Sequence, residues 1–166
     1  MTSDATIRRA GDVDLAVLAD NFRKMWLEIG WSPETLREDW VDLVDSFVEA
    51  ARSESDFAAF VAEIDGEVVA TVACQILSGL YPEIRLGSSH LAGYIWGVYV
   101  RPDHRRLGLA TKLTRAALDH LAGIGCAHVK LHASRDGERV YRAMGFRDTN
   151  ELDLVLAGSG ATRDTR

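Results

Sequence analysis

A chain of 166 residues, 47% apolar and 27% charged, is one domain's worth of ordinary globular protein, able to bury about 70% of its unfolded surface without a disulfide or metal staple. Nineteen basic residues against 25 acidic ones leave a net charge of −6, which removes the usual basis for sequence-independent binding to nucleic acid or an anionic membrane. Cys74 and Cys126 lack metal-ligand spacing, no run approaches ~18 apolar residues, and MTSDATIRRAGD carries no apolar signal core, so a cytoplasmic, reducing compartment is expected.

Residues 12–28 read as an amphipathic helix, with Leu15, Leu18, Ala19, Phe22 and Trp26 on one stripe and Gly30 as the stop. Ser32-Pro33 signals a restart, and Leu36, Trp40, Leu43, Val44, Phe47, Val48 and Ala51 extend a second helical stripe. Trp26, Trp40 and Phe47 are expected in the core first and at a substrate wall second. Residues 57–64 and 67–77 read as strands joined at Asp65-Gly66, the dipeptide best suited to a tight hairpin. Residues 78–92 read as a long loop. Gly93–Val100 is nearly all apolar, as a strand covered on both faces should be, and Pro102 closes it. Leu109–Leu121 is helical by period, with Gly123 as its stop. A strand over 128–132, a short helix over 138–144 and a last strand over 152–156 follow. The expectation is one mixed α/β domain over residues 1–157 with helices on both sheet faces, and a frayed tail over 158–166. Strand 93–100, helix 109–121 and strand 128–132 form a right-handed βαβ unit.

Chemistry concentrates where strand 93–100 hands over to helix 109–121. The turn Arg101-Pro102-Asp103-His104-Arg105-Arg106-Leu107-Gly108 ends at a helix amino terminus, where unpaired N–H groups and the positive end of the dipole favour an anion. Gly108 permits close approach of the backbone, and Arg101, Arg105 and Arg106 concentrate positive charge. The stretch is neither a P-loop, lacking Gly-Lys-Ser/Thr, nor a dinucleotide fingerprint, having one glycine of three. His128 and His132 lie four residues apart on a strand, ~13 Å at 3.3 Å per residue, too far to share a metal ion, and read as ordinary polar strand residues. Cys74 reads as a small buried hydrophobe.

Val98-Tyr99-Val100-Arg101-Pro102 with Arg105-Arg106-Leu107-Gly108-Leu109-Ala110 resembles the acetyl-CoA signature of the GCN5-related N-acetyltransferase (GNAT) superfamily, V-x-P…[QR]-x-x-G-x-[GA]. Ser134 with Tyr141-Arg142-Ala143-Met144-Gly145-Phe146 is similar to that family's second block, N-x-x-A-x-x-x-Y-x-x-x-G-F. The resemblance implies a sheet splayed between strands 93–100 and 128–132. It implies acetyl-CoA as co-substrate and no metal. Val98, Tyr99 and Val100 would flank the pantetheine arm, and Arg105, Arg106, Leu107, Gly108, Leu109 and Ala110 would cradle the pyrophosphate. Ser134 and Tyr141 would complete the cofactor contacts, with Tyr141 as general acid.

Three positions depart from the family pattern: Ser134 stands for asparagine, Gly137 for alanine, and Trp96 where many members carry a glutamate base. With no carboxylate on the signature strand, Glu28 and Glu151 are the candidates for a base relay. The expected reaction is direct acetyl transfer to a primary amine of a small cationic molecule. Residues 21–56 hold nine carboxylates against four basic groups, a net −5. Trp26, Trp31 and Tyr81 are candidate surfaces for an ammonium group. Acetylation of protein N-termini or lysines, and a non-catalytic acyl-CoA-binding module, are the alternatives. A homodimer is left open.

Overall fold

The computed structural model describes residues 4–79, 82, 84, 86 and 90–154. The chain falls into two compact units, Met1–His132 and Ala133–Arg166.

The first unit carries a five-stranded sheet in the order β1-β2-β3-β4-β5, from β1 (Thr6–Arg9), β2 (Ala58–Ile64), β3 (Glu67–Leu77), β4 (Ala92–Val100) and β5 (His128–Lys130). The first four strands pair antiparallel with their neighbours, and β5 runs parallel to β4. Helix α3 (Leu109–Gly123) lays Leu109, Leu113, Ala117 and Leu121 on one face, against Ala70, Val72, Cys74 and Ile95. Helices α1 (Leu15–Glu28) and α2 (Trp40–Glu54) cover the other through Leu18, Ala19, Val44, Val48 and Ala51, packed against Ala59 and Ala73. The alternation of Val72 and Cys74 with Ala73 between two cores is the two-residue period of a strand covered on both faces. The Asp65-Gly66 turn has φ of 52° and 81°, as a primed hairpin turn demands.

Strand β1 is not foreseen by the sequence pattern. It has no apolar alternation, and Arg8 anchors it: Nε donates to Glu63 at 2.9 Å, while Nη1 and Nη2 fork onto Asp14 at 2.8 and 2.9 Å. Asp14 is only 4% exposed, and Arg8 holds its carboxyl below the ordinary carboxylate range. The second helix starts at Trp40, not after Ser32-Pro33. Pro33–Thr35 forms a single 3-10 turn and Leu36 is extended, with φ −91° and ψ 140°. Phe47, expected in the core, is 50% exposed, because Val44, Val48 and Ala51 fill the buried stripe. Helix α3 runs to Gly123, and the left-handed residue that ends its turn is Gly125, with φ 92°. Strand β5 stops at Lys130.

In the second unit α4 spans Arg135–Ala143, three residues earlier than expected, because the Ser134 hydroxyl caps it by accepting from the Gly137 amide at 3.2 Å. Residues 151–154 form no strand, so the expected element over 152–156 is not seen there. Residues 155–166, with the tail expected over 158–166, lie outside the described residues, as does Tyr81. Among the described residues no helix is long and apolar enough to cross a membrane.

Candidate functional site

Strand β4 leaves one edge open. Its parallel pairing with β5 covers Ala92↔His128, Gly93↔Val129 and Tyr94↔Lys130. On its other side, pairing with β3 continues to Ala70↔Val100. From Ile95 to Val100 the β5-side edge therefore has no strand partner among the described residues. The Arg101 amide donates to Val69 O at 3.0 Å, so by antiparallel alternation the amide and carbonyl of Val100 point to the open edge. A bulge interrupts β4: Thr71 faces Tyr99 and Ala73 faces Trp96, so Gly97 and Val98 oppose Val72 alone. Gly97 takes φ 62°, the left-handed conformation this kind of bulge uses. The extra residue resets the faces: Trp96 packs toward α1 and α2, Val98 and Val100 toward α3, and Tyr99 toward the end of α1.

Beyond β4, a 3-10 turn at Pro102–His104 leads to two left-handed residues, Arg106 (φ 63°) and Gly108 (φ 75°), flanking Leu107. Helix α3 then starts with no side-chain cap, and its first backbone bond is Lys112 N to Gly108 O at 3.0 Å. The amides of Leu109, Ala110 and Thr111 thus point out of the helix end without intrahelical acceptors, a geometry suited to phosphate. A Cβ added at Gly108 would meet no atom within 4 Å, so the space above the turn is open. The donor set of uncapped amides, exposed Arg106 and a free strand edge fits a pyrophosphate carried on an amide-bearing arm.

Arg105, expected at the phosphates, is turned elsewhere. Its Nη2 lies 2.5 Å from Glu28 Oε2, its Nε donates to Val100 O at 3.0 Å, and its guanidinium stands 5.9 Å from the Tyr99 ring centre. Tyr99 donates its hydroxyl to Glu28 Oε1 at 3.1 Å, and burial, then that carboxylate, push the phenol up. Both oxygens of Glu28, the first candidate relay, are therefore engaged. Glu151, the second, lies in the exposed segment after α4.

On the α1–α2 side an aromatic chain runs inward: Trp31 to Trp26 at 5.7 Å, Trp26 to Phe22 at 6.0 Å, Phe22 to Trp96 at 5.1 Å, and Phe47 to Trp96 at 5.5 Å. Trp96 donates Nε1–H to Gln75 at 3.1 Å. Trp26 and Trp31, with Thr35 and Leu36, line a cleft of about 230 Å³. The acidic residues gather elsewhere: Asp12, Asp42, Asp45 and Glu49 line a separate cleft of about 560 Å³.

In the second unit Tyr141 is buried at 7% exposure, edge-on to Phe146 at 5.8 Å, and burial pushes its phenol up to about 12. Ser134, expected at the cofactor, spends its hydroxyl on the helix cap. A pairing that sequence reasoning missed lies at the point where β4 and β5 part: Tyr94 Oη hydrogen-bonds His132 Nδ1. Only the parallel register brings together two residues 38 apart. The signal available was the shared face of Tyr94 with Trp96 and of Lys130 with His132 at the two-residue period.

The acetyltransferase (GNAT) family profile matches residues 18–146 of this chain, more than half its length. The chain belongs to the GNAT acetyltransferase family. Its GNAT fold superposes on a GCN5-related N-acetyltransferase from Ralstonia eutropha JMP134 with a TM-score of 0.79 and 26% identity, over 93% of this chain and 100% of that one. An N-alpha-acetyltransferase of Sulfurisphaera tokodaii is 29% identical over 110 residues, 64% of this chain and 65% of the relative. An aminoglycoside N(6')-acetyltransferase type 1 of Acinetobacter haemolyticus is 33% identical over 63 residues, 36% of this chain and 43% of the relative. The alignment thus spans just under two thirds of the first relative's length and less than half of the second's.

Proposed function

We propose that this GNAT chain is an acetyl-CoA-dependent N-acetyltransferase that acetylates a primary amine of a small cationic molecule. The observation carrying this reading is the open edge of β4 beside the uncapped start of α3. Such an edge binds an amide-bearing arm as though it were another strand, through the backbone of Val98 and the amide of Val100, whose carbonyl already accepts from Arg105. The amides from Arg106 to Ala110 hold the pyrophosphate, and Arg106 adds positive charge. Acetyl-CoA supplies the acyl group as a thioester. Tyr141 takes the general-acid role by its place in the second sequence block. Its buried phenol stays protonated across the working range and gives its proton only as charge develops on the departing sulfur.

Trp26 and Trp31 form the proposed ammonium-accepting surface. The acidic cleft beside α2 is separate and includes Arg52 paired with Asp12, and with screening over ~8–10 Å at ordinary salt only carboxylates near the acceptor itself add to its attraction. The aminoglycoside enzyme among the relatives supports a polyamine-like acceptor. The N-alpha-acetyltransferase supports a second reading, transfer to protein N-termini. Thiol release from acetyl-CoA, measured with cationic, neutral and acidic amines and with short peptides, separates them. Cationic amines should lead and lose rate as salt rises. Preference for peptides selects the second reading, and binding of acetyl-CoA without thiol release from any amine leaves a non-catalytic acyl-CoA module.

A further inference from the structure

We propose that His132 is the catalytic base that takes a proton from the acceptor ammonium, with Tyr94 as its positioning residue; this rests on the acetyltransferase reading above. The last β4–β5 pair is Tyr94↔Lys130, so continued pairing would set His132 opposite Trp96. Instead the strands part there, and the imidazole stands at the apex of the opening. It lies on the sheet face of Tyr94 and Trp96, which is the face α1 and α2 cover. An arm whose phosphates rest at residues 106–110 and whose amides follow Val100 and Val98 runs back along β4 toward that apex. Its thioester end then falls within reach of a side chain at position 132. The strand itself offers no carboxylate, since Trp96 occupies the place and its only polar atom, Nε1–H, is a donor engaged by Gln75.

The pair supplies what a base requires. The proposed base is the tautomer in which Nδ1–H donates to Tyr94 Oη, which leaves the lone pair of Nε2 for the proton; a hydroxyl serves either tautomer, so Tyr94 holds the ring in place through the whole proton cycle. The rings stand 5.9 Å apart between centres, inclined at 58°, so Tyr94 holds the imidazole by one edge and leaves the other open. His132 is exposed, as a group meeting an incoming substrate must be. The titratable and charged neighbours are Lys130 and His128 on the same face of β5 and Tyr94 on β4, while β3 presents the neutral Gln75 opposite Tyr94. From α1 and α2 come the rings of Phe22 and Phe47, packed on Trp96.

Nε2 takes one proton from the ammonium, and the freed nitrogen lone pair attacks the thioester carbon. The C–N bond forms and the C–S bond breaks. Of the three ammonium protons, one passes through His132 to solvent, one is balanced by the proton the sulfur receives from the general acid, and one stays on the amide nitrogen.

The test compares wild type, His132→Ala, His132→Asn and Tyr94→Phe by thiol release from acetyl-CoA between pH 6 and 10, with acetyl-CoA affinity followed by calorimetry. His132→Ala should lose about a hundredfold in kcat at pH 7 with unchanged cofactor affinity. The loss should shrink to a few-fold near pH 10, where solvent has already deprotonated the amine, and added imidazole should restore rate at pH 7. His132→Asn, whose amide takes the place of Nδ1, should keep the bond to Tyr94 and still be slow, whereas Tyr94→Phe should lose less than either. A His132→Ala variant within twofold of wild type at pH 7, or a loss constant with pH and deaf to imidazole, overturns the role of His132 and leaves the acetyltransferase reading standing. A wild type that binds acetyl-CoA and releases no thiol with any amine overturns both.

Discussion

Gly137 stands in the first turn of α4, where the family pattern carries alanine, and the structure shows why the exchange is not neutral. An added Cβ would lie 2.9 Å from Tyr141 Cε2 and 3.2 Å from the Ser134 hydroxyl that caps the helix. Two effects oppose each other in Gly137→Ala. Helix propensity favours alanine by about 0.5–1 kcal/mol, and by less so close to the helix start. Against this, the Tyr141 ring must move by several tenths of an ångström, although it is buried and held edge-on by Phe146. Overpacking of that kind costs about 1–3 kcal/mol. Overpacking wins, so the net loss should be about 0.5–2 kcal/mol, a fall of roughly 2–6 °C in Tm for a chain of this size. Because the displaced ring carries the proposed general acid, kcat should drop several-fold with acetyl-CoA affinity unchanged. Thermal unfolding beside steady-state thiol release reads both quantities. A rise in Tm, with kcat intact, would show that the ring yields freely and would refute the packing argument.

Gly108→Glu should abolish acetyl-CoA binding by calorimetry. It sets a carboxylate in the open space above the phosphate turn, while the strain of a non-glycine at φ 75° costs stability only about 1–2 kcal/mol; unchanged affinity would remove the cradle assignment. Tyr141→Phe keeps the ring and removes the proton, so kcat should fall at least tenfold, and a value within twofold would exclude the acid role. Burial raises the Tyr141 phenol from 10.0 to about 12, so the folded state keeps a proton that the unfolded state has lost; stability should fall as pH rises from about 10 to 12, and Tyr141→Phe should flatten that limb of the unfolding profile. Asp14 titrates below its ordinary 3.8, so its contribution is full above that value and disappears as pH falls through the lower folded one. Asp14→Asn should cost about 2 kcal/mol at neutral pH in urea unfolding, since it breaks the fork that anchors β1, and the acid limb should flatten with it.

What could be read from the chain depended on whether the determining contacts were local. The Asp65-Gly66 turn, the apolar run of β4 and the period of α3 are signals carried within a dozen residues, and each stands where the pattern put it. Strand β1 is four residues long and polar, and it exists because Arg8 reaches Glu63, 55 positions away. No periodicity reports that. Ser32-Pro33 was a true start signal for the wrong element, because a proline at the first position suits a 3-10 turn as well as an α-helix. The turn and uncapped helix start over residues 101–110 were legible, since one contiguous stretch builds them from backbone. The setting of Arg105 was not: its partner Glu28 lies 77 residues earlier. The same holds for Tyr94 and His132, which meet only through strand register.

The Glu28–Arg105 contact has a consequence for how such a chain can diverge. The carboxyl end of α1 is tied directly to the turn beside the proposed cofactor, through Arg105 and through the hydroxyl of Tyr99. Lengthening or shortening α1 ahead of that point would rotate Glu28 by about 100° per residue and drag Arg105 with it. Among the described residues helix α2 carries no such tether to that turn, and its exposed Leu43 is open to substitution, while Phe47 packs on Trp96. New acceptor specificities should therefore be easier to reach by insertion and substitution after Gly30 than by any change of register before Glu28.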